Sequence, residues 1–165
     1  MRKKEHNYAF IDSQNLNLGI KDLGWSLDFR KFRIYLSNKY RVKKAFLFLG
    51  FVSKYKRLYE DLSSYGYILI FKPVIQNREG RIKGNIDAEL VMYVMKEINN
   101  FGYAVIVSGD GDFYCLIKYL DELHKLKAIL IPNQKSSSSL LEKFSNKKVL
   151  LEFEREKLEN KKWKA

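Results

Sequence analysis

The sequence VIVSGDGDF at residues 105–113 decides the fold class of this protein. A β-branched run stops at small residues that carry Asp110 and Asp112, and an amphipathic helical pattern begins at once. The two glycines allow a sharp turn and leave room for a ligand. Because one aspartate is enough to cap the following helix, we interpret the second as a sign of chemistry. The stretch therefore predicts a buried strand that ends in an acidic turn.

Outward from this turn, other apolar runs have the length of strands, and patterns of helical spacing separate most of them. The predicted strands are 8–11, 45–49, 67–71, 103–107, 127–131 and 149–153. Helices are predicted to begin near residues 28, 53, 85, 112 and 136. The polar residues after Asp12 are interpreted as a loop, and residues 76–84 as a mobile loop or a small hairpin.

Apolar strands that alternate with amphipathic helices predict a three-layer α/β fold, with a mainly parallel central sheet and helices on both faces. In the common doubly wound strand order 3-2-1-4-5, strands 1 and 4 are neighbours, and ligands bind beyond their carboxyl ends. Asp12 ends the first strand, while Asp110 and Asp112 follow the fourth. We therefore expect these acids to converge, although they are far apart in the sequence.

The length of 165 residues predicts one domain over 1–165, with a basic C-terminal tail at about 155–165. No run approaches the roughly 20 apolar residues of a membrane span. The basic N-terminus is not followed by an apolar signal region. We therefore expect a cytoplasmic protein that makes no contact with a membrane.

A formal net charge of +12 predicts a polyanionic partner, and nucleic acid is the first candidate. Ten basic residues and no acidic residue lie between positions 29 and 58. Aromatic residues interleave this basic block, as in surfaces that stack single-stranded bases. They are Phe32, Tyr35, Tyr40, Phe51 and Tyr55. Many of these rings must belong to the core, so we expect only Tyr40 and Tyr55 to be exposed.

Asp87 is a further candidate for the acidic site. It precedes Leu90 and Val91 by three and four residues, which places it on the inward face of its helix, whereas Glu89 is rotated about 200° away. Crowded carboxylates repel one another unless cations neutralise them. A ligand set of oxygens alone suits Mg²⁺ or Mn²⁺, as one ion or a pair, and such ions support hydrolysis of phosphodiesters.

Three motifs, FIDSQN at 10–15, KGNID at 83–87 and SGDGDF at 108–113, together resemble the NYN domain. This domain is the LabA-like branch of the PIN-like nuclease superfamily, and the resemblance covers about residues 7–153. It implies a PIN-like, Rossmann-like fold and a metal-dependent ribonuclease. Carried over by motif, the acidic, metal-binding site would be Asp12, Asp87, Asp110 and Asp112. Asn15 and Ser108 would orient a metal-bound water or the substrate.

Basic residues that precede Asp87 are expected at the rim of the crevice, where they would hold phosphates. They are Arg78, Arg81 and Lys83, and Lys135 is a weaker candidate beyond the fifth strand. The leading hypothesis is a Mg²⁺- or Mn²⁺-dependent endoribonuclease acting on single-stranded or structured RNA. The alternatives are a catalytically silent RNA-binding or regulatory module, and a nuclease that acts on DNA. A homodimer or a regulatory protein partner is also compatible with the sequence.

Overall fold

The computed structural model describes residues 6–72, 75–76, 82–83 and 86–161. Its strands are β1 (Asn7–Asp12), β2 (Val42–Gly50), β3 (Tyr67–Lys72), β4 (Ile75–Gln76), β5 (Ile82–Lys83), β6 (Ala104–Val107), β7 (Leu126–Ile131) and β8 (Lys148–Leu150). Its α-helices are α1 (Ser13–Asp22), α2 (Phe29–Tyr40), α3 (Lys56–Ser64), α4 (Asp87–Glu97), α5 (Tyr114–Glu122) and α6 (Arg155–Leu158).

Six strands form one parallel sheet in the order β3-β2-β1-β6-β7-β8. This is the doubly wound order expected from the sequence, with one more strand at the edge, so the predicted three-layer α/β class is confirmed. β1 and β6 are neighbours, with Ile11 opposite Val107. Their carboxyl ends therefore meet at the switch point of the sheet, where a crevice forms. β4 and β5 form a separate antiparallel pair.

Alternate residues of the central strands enter two hydrophobic cores, one on each face of the sheet. In β1, Ile11 packs on the face covered by α1, α2 and α3, while Phe10 packs on the face covered by α4 and α5. Both side chains are fully buried. Burial on both faces explains why these strands are uninterrupted apolar runs.

The helix α1 directly follows β1, where the sequence predicted a loop. The side chain of Asp12 accepts a hydrogen bond from the Asn15 N–H and so caps α1. Leu16 and Ile20, four residues apart, are buried against the sheet. The loop prediction was wrong because the polar first turn hides this short apolar stripe.

The C-terminal part of the chain also differs from expectation. β8 ends at Leu150, and a 3-10 turn over Leu151–Glu154 replaces the rest of the predicted strand. In the segment expected to form a tail, the side chain of Leu158 is fully buried, and its carbonyl accepts a hydrogen bond from the Asp28 N–H at 2.8 Å. Within the described part of the chain, no helix is both long and apolar enough to cross a membrane.

Candidate active site

The ends of β1 and β6 bring the first site residues together. Asp12 is the last residue of β1, and Ser108 comes directly after β6. The Ser108 hydroxyl donates a hydrogen bond to Asp12 Oδ2 at 3.2 Å, and both side chains are buried. The hydrogen bond therefore joins the two neighbouring strands at the point where the crevice opens.

The turn after β6 is held by a second set of hydrogen bonds. The Asp110 N–H donates to Ser108 Oγ at 3.1 Å, and Asp110 Oδ1 accepts from the Asp112 N–H at 2.9 Å. The Gly109 N–H donates to Asn15 Oδ1 at 2.9 Å. The side chains of Asn15 and Ser108 thus connect the acidic turn to the start of α1, which is a positioning role.

Three of the four predicted acids converge. Asp12, Asp87 and Asp110 each present a carboxylate oxygen, and these oxygens lie within 4.8 Å of one another. Asp87 comes from the first turn of α4, on the other side of the crevice from α1. Asp112 is not part of this trio. It is exposed at the rim, and its side chain is hydrogen-bonded with that of Asp87.

The acids open into a cavity of about 400 Å³. Its lining residues are Asp12, Gln14, Asn15, Leu18, Ile86, Asp87, Asp110 and Asp112. Gln14, Leu18 and Ile86 were not among the site residues expected from the sequence. Gln14 and Leu18 are four residues apart on α1 and so share a face. Their shared face exists only in a helix, and this segment was predicted to be a loop.

The electrostatic environment disfavours a full set of charged carboxylates. Burial raises the pKa of Asp87 from 3.8 to about 6, with further contributions from the Asp110 carboxylate, the hydrogen bond with Asp112, and Asp12. Burial also raises the pKa of Asp12. There the repulsion from Asp110 adds to burial, while hydrogen bonds from the Asn15 N–H and the Ser108 hydroxyl oppose it.

A divalent cation fits this donor set. The three carboxylate oxygens are close enough together to share one ion, and their mutual repulsion is the kind that a cation relieves. Carboxylate ligands without histidine or cysteine favour hard ions such as Mg²⁺ and Mn²⁺.

The acidic turn lies against the segment after β7. The Ser138 N–H donates to the Gly109 carbonyl at 2.9 Å. A Cβ added at Gly111 would lie 2.8 Å from the Ser138 Cβ, and one added at Gly109 would lie 3.1 Å from the Ser137 Cβ. A side chain at Gly111 would therefore displace Ser138, and one at Gly109 would crowd Ser137.

The predicted phosphate-binding residues are only partly located. Lys135 is exposed in a 3-10 turn that follows β7, at the carboxyl edge of the sheet. Lys83 lies in β5, and its side chain is outside the described part of the structure. Arg78 and Arg81 also lie outside the described residues. Their role at the rim stays a prediction.

The fold and the site together define a class: a doubly wound α/β domain with a cluster of carboxylates at its switch point. A sequence model of the NYN domain matches residues 8–150. The chain therefore belongs to the NYN domain family, as its motifs indicated, and this family is generally nuclease-like.

Comparison with solved structures supports the fold. The crystal structure of a protein of unknown function from Vibrio parahaemolyticus matches with a TM-score of 0.78. The two sequences are 20% identical, and the match covers 97% of this chain and 99% of the other. At this identity the likeness shows the fold alone. A comparison with curated protein sequences found no match.

Proposed function

We propose that this protein is a metal-dependent endoribonuclease that hydrolyses phosphodiester bonds of RNA at the acidic cavity. The observation that carries the proposal is the trio of carboxylate oxygens within 4.8 Å of one another, at the switch point of a NYN domain. Asp12 and Asp110 are also caps, but capping does not require acids to face one another. Three that face one another across a crevice are unfavourable without a ligand.

Asp12, Asp87 and Asp110 would hold Mg²⁺ or Mn²⁺, as one ion or two, with Asp112 beside them. A divalent ion at such a site supplies positive charge that activates a water nucleophile and stabilises the leaving oxygen of the phosphodiester. The cavity supports this assignment because it is open to solvent and lined mainly by polar side chains.

Side chains of the protein itself fix the geometry of the site. The Ser108 hydroxyl holds Asp12 Oδ2, and Asn15 holds the backbone of the acidic turn through Gly109. Both contacts keep the carboxylates in place before the substrate arrives. The net charge of +12 attracts the phosphate backbone, and Arg78, Arg81, Lys83 and Lys135 are the proposed contacts near the cavity.

Cleavage of labelled single-stranded RNA and of DNA with the same sequence, in Mg²⁺, Mn²⁺ or a chelator, tests the proposal. We expect metal-dependent cleavage of RNA that Asp110→Asn abolishes without weakening RNA binding. Asp22→Asn removes an exposed carboxylate at the end of α1 and is the matched control, which should cleave normally.

The outcomes separate the alternatives. Full activity of Asp110→Asn would show that the acidic site is assigned wrongly. Tight RNA binding with no cleavage in any metal would favour a catalytically silent RNA-binding or regulatory module, or an enzyme that requires a protein partner. Cleavage of DNA in preference to RNA would change the substrate while leaving the site in place.

A further inference from the structure

A pair of exposed aromatic rings lies outside the acidic cavity and has no part in its geometry. The rings of Phe51 and Phe71 are 5.4 Å apart and nearly perpendicular, and both contact the buried Tyr59, at 5.8 and 4.9 Å. Phe51 is 50% exposed and Phe71 is 38% exposed. We call these two residues the aromatic platform. Its rings are held from beneath and remain open to solvent.

The aromatic platform lies at the same edge of the sheet as the acids. Asp12 is opposite Phe48 in β2, and Phe71 is opposite Leu49, the next residue of that strand. Phe71 is therefore one register step beyond Asp12 and two strands away, a lateral distance of about 10 Å between the backbones. By strand alternation Phe71 lies on the face covered by α1, α2 and α3, like its partner Leu49, whereas Asp12 alternates with Phe10 on the other face, so a bound strand must cross the carboxyl edge of the sheet. A few nucleotides of extended strand can span this distance.

Three basic side chains come soon after Phe51 of the aromatic platform in the chain. Lys54, Lys56 and Arg57 follow Phe51 in the chain and are all exposed. In the part of the chain that the structure describes, none of these three forms an ion pair. The nearest acids along the chain, Glu60 and Asp61, lie four residues after Lys56 and Arg57 on α3, one helical turn away, and among the described residues they form no ion pair with them. The charge around the platform is therefore suited to phosphates.

The sequence predicted only part of this surface. Of the two tyrosines expected to be exposed, Tyr55 is 45% exposed, whereas Tyr40 is buried with its ring centre 5.9 Å from that of Tyr35, so the expectation was wrong for Tyr40. Tyr55 is a further exposed ring four residues after Phe51 in the chain, with the Lys54 ammonium 5.1 Å from its ring centre. Phe71 lies outside the basic block, and β2–β3 pairing brings it to Phe51.

We propose that the aromatic platform stacks bases of a single-stranded nucleic acid whose phosphates contact Lys54 and Lys56, and so leads the strand towards the acidic cavity. This inference rests on the proposed function, because it assigns a second contact to the same substrate. Bases of any identity stack on aromatic faces, and this stacking requires unpaired bases. Two exposed phenylalanines amid unpaired basic groups favour a polyanion with flat apolar faces over an acidic or apolar protein surface.

The test measures the affinity of the full chain for a fluorescein-labelled oligouridylate by fluorescence anisotropy, with chelator present so that no cleavage occurs. We expect Phe51→Ala and Phe71→Ala each to weaken binding by about tenfold, the loss of one stacked base. Phe51→Tyr should bind normally because the stacking face is retained. Phe153→Ala removes an 81% exposed ring after β8, at the opposite edge strand, and should have no effect.

Two further readouts distinguish this inference from the proposed function. A duplex of the same length should bind Phe51→Ala and the unchanged protein equally, because its bases are not free to stack. Asp110→Asn should keep its affinity for the oligonucleotide and lose cleavage. If Asp110→Asn loses cleavage while Phe51→Ala and Phe71→Ala bind normally, the nuclease proposal stands and the platform is wrong.

Other results would also overturn the inference. Absence of oligonucleotide binding by the unchanged protein at low salt would do so. A dimer in sedimentation that Phe51→Ala dissociates, with no change in oligonucleotide affinity, would assign the aromatic platform to contact between copies of the chain instead.

Discussion

The acidic cavity and the aromatic platform lie at the same edge of one sheet and are built in opposite ways. In the cavity, like charges face one another at close range, and a hydrogen-bonded backbone turn with two glycines holds them. In the aromatic platform, two partly exposed rings contact each other and the buried Tyr59, and exposed basic side chains follow Phe51 in the chain.

This difference indicates how each region tolerates change. Positions of the carboxylates depend on several contacts that must all be correct, so small displacements there should affect chemistry strongly. The platform depends on ring area, and a ring of similar size should replace another. The two regions also carry charges of opposite sign, with acidic residues at the cavity and basic residues near the platform in the chain. A strand with phosphates is attracted to one region and requires a cation at the other.

The largest effect that separates the regions is expected on cleavage, from Asp87→Asn. Loss of one of three converging carboxylates removes several kcal/mol of transition-state stabilisation, so the rate should fall by about a thousandfold. Glu89→Gln removes the same charge from the same turn of α4, about 200° away around the helix, and should keep most of the activity. Single-turnover cleavage of labelled RNA measures both. Equal losses in the two variants would show that the rate reflects total charge and not the cavity.

The sequence was sufficient to predict that Asp12, Asp87 and Asp110 meet, because each of these acids has a local signal. Asp12 and Asp110 follow apolar strands, and parallel strands with right-handed crossovers leave few positions for their ends. The inward face of Asp87 follows from helical spacing alone. The position of Asp112 outside the trio could not be predicted in this way. The 3-10 turn at Gly111–Phe113, which Asp110 caps, decides where its side chain lies.

The aromatic platform could not be predicted because its two rings have no relation in the sequence. Phe51 follows β2 and Phe71 lies in β3, and only the pairing of these strands brings the rings together. The helix α1 was missed for a different reason. Its first turn is polar, and the apolar signal of Leu16 and Ile20 is only two residues long. Tertiary packing, and not propensity, decides such a short helix.

The acidic turn and the aromatic platform also differ in packing, and Gly111→Ala tests this difference. The added methyl would contact Ser138, whose backbone is itself bound to the acidic turn, so one of the two segments must shift. We expect a loss of about 2 kcal/mol in the free energy of unfolding. Phe51→Ala removes a half-exposed ring from the aromatic platform and should cost about 1 kcal/mol. Urea unfolding measures both. A larger loss for Phe51→Ala would show that the platform is the more tightly packed region.

The smallest expected effect is on the stability of the metal-free protein. Asp87→Asn should stabilise the fold there, although the same substitution should slow cleavage. The pKa of Asp87 is raised from 3.8 to about 6, so the folded chain binds more protons than the unfolded chain between these values. The free energy of unfolding therefore falls as the pH rises through this window, and the loss is complete above it. Asp87→Asn removes this penalty. In chelator at about pH 8 it should raise the melting temperature by about 2–4 °C, since solvent screening of the partly exposed carboxylate limits the effect to about 1 kcal/mol.

At about pH 3.5, below the ordinary pKa of an aspartate, the difference between Asp87→Asn and the unchanged protein should vanish. Glu89→Gln is the control, because Asp87 and Glu89 both lie in the first turn of α4 and both interact with its dipole. Excess Mn²⁺ should reverse the order of stability, because an ion that binds only the folded chain stabilises it, and Asp87→Asn weakens that binding. At pH 8 in chelator, Asp87→Asn could instead be less stable than the unchanged protein, with a larger loss than Glu89→Gln shows. That result would mean that the carboxylates do not repel one another as their distances imply. The contrast between a cavity of mutually repelling groups and an aromatic platform without such repulsion would then be wrong.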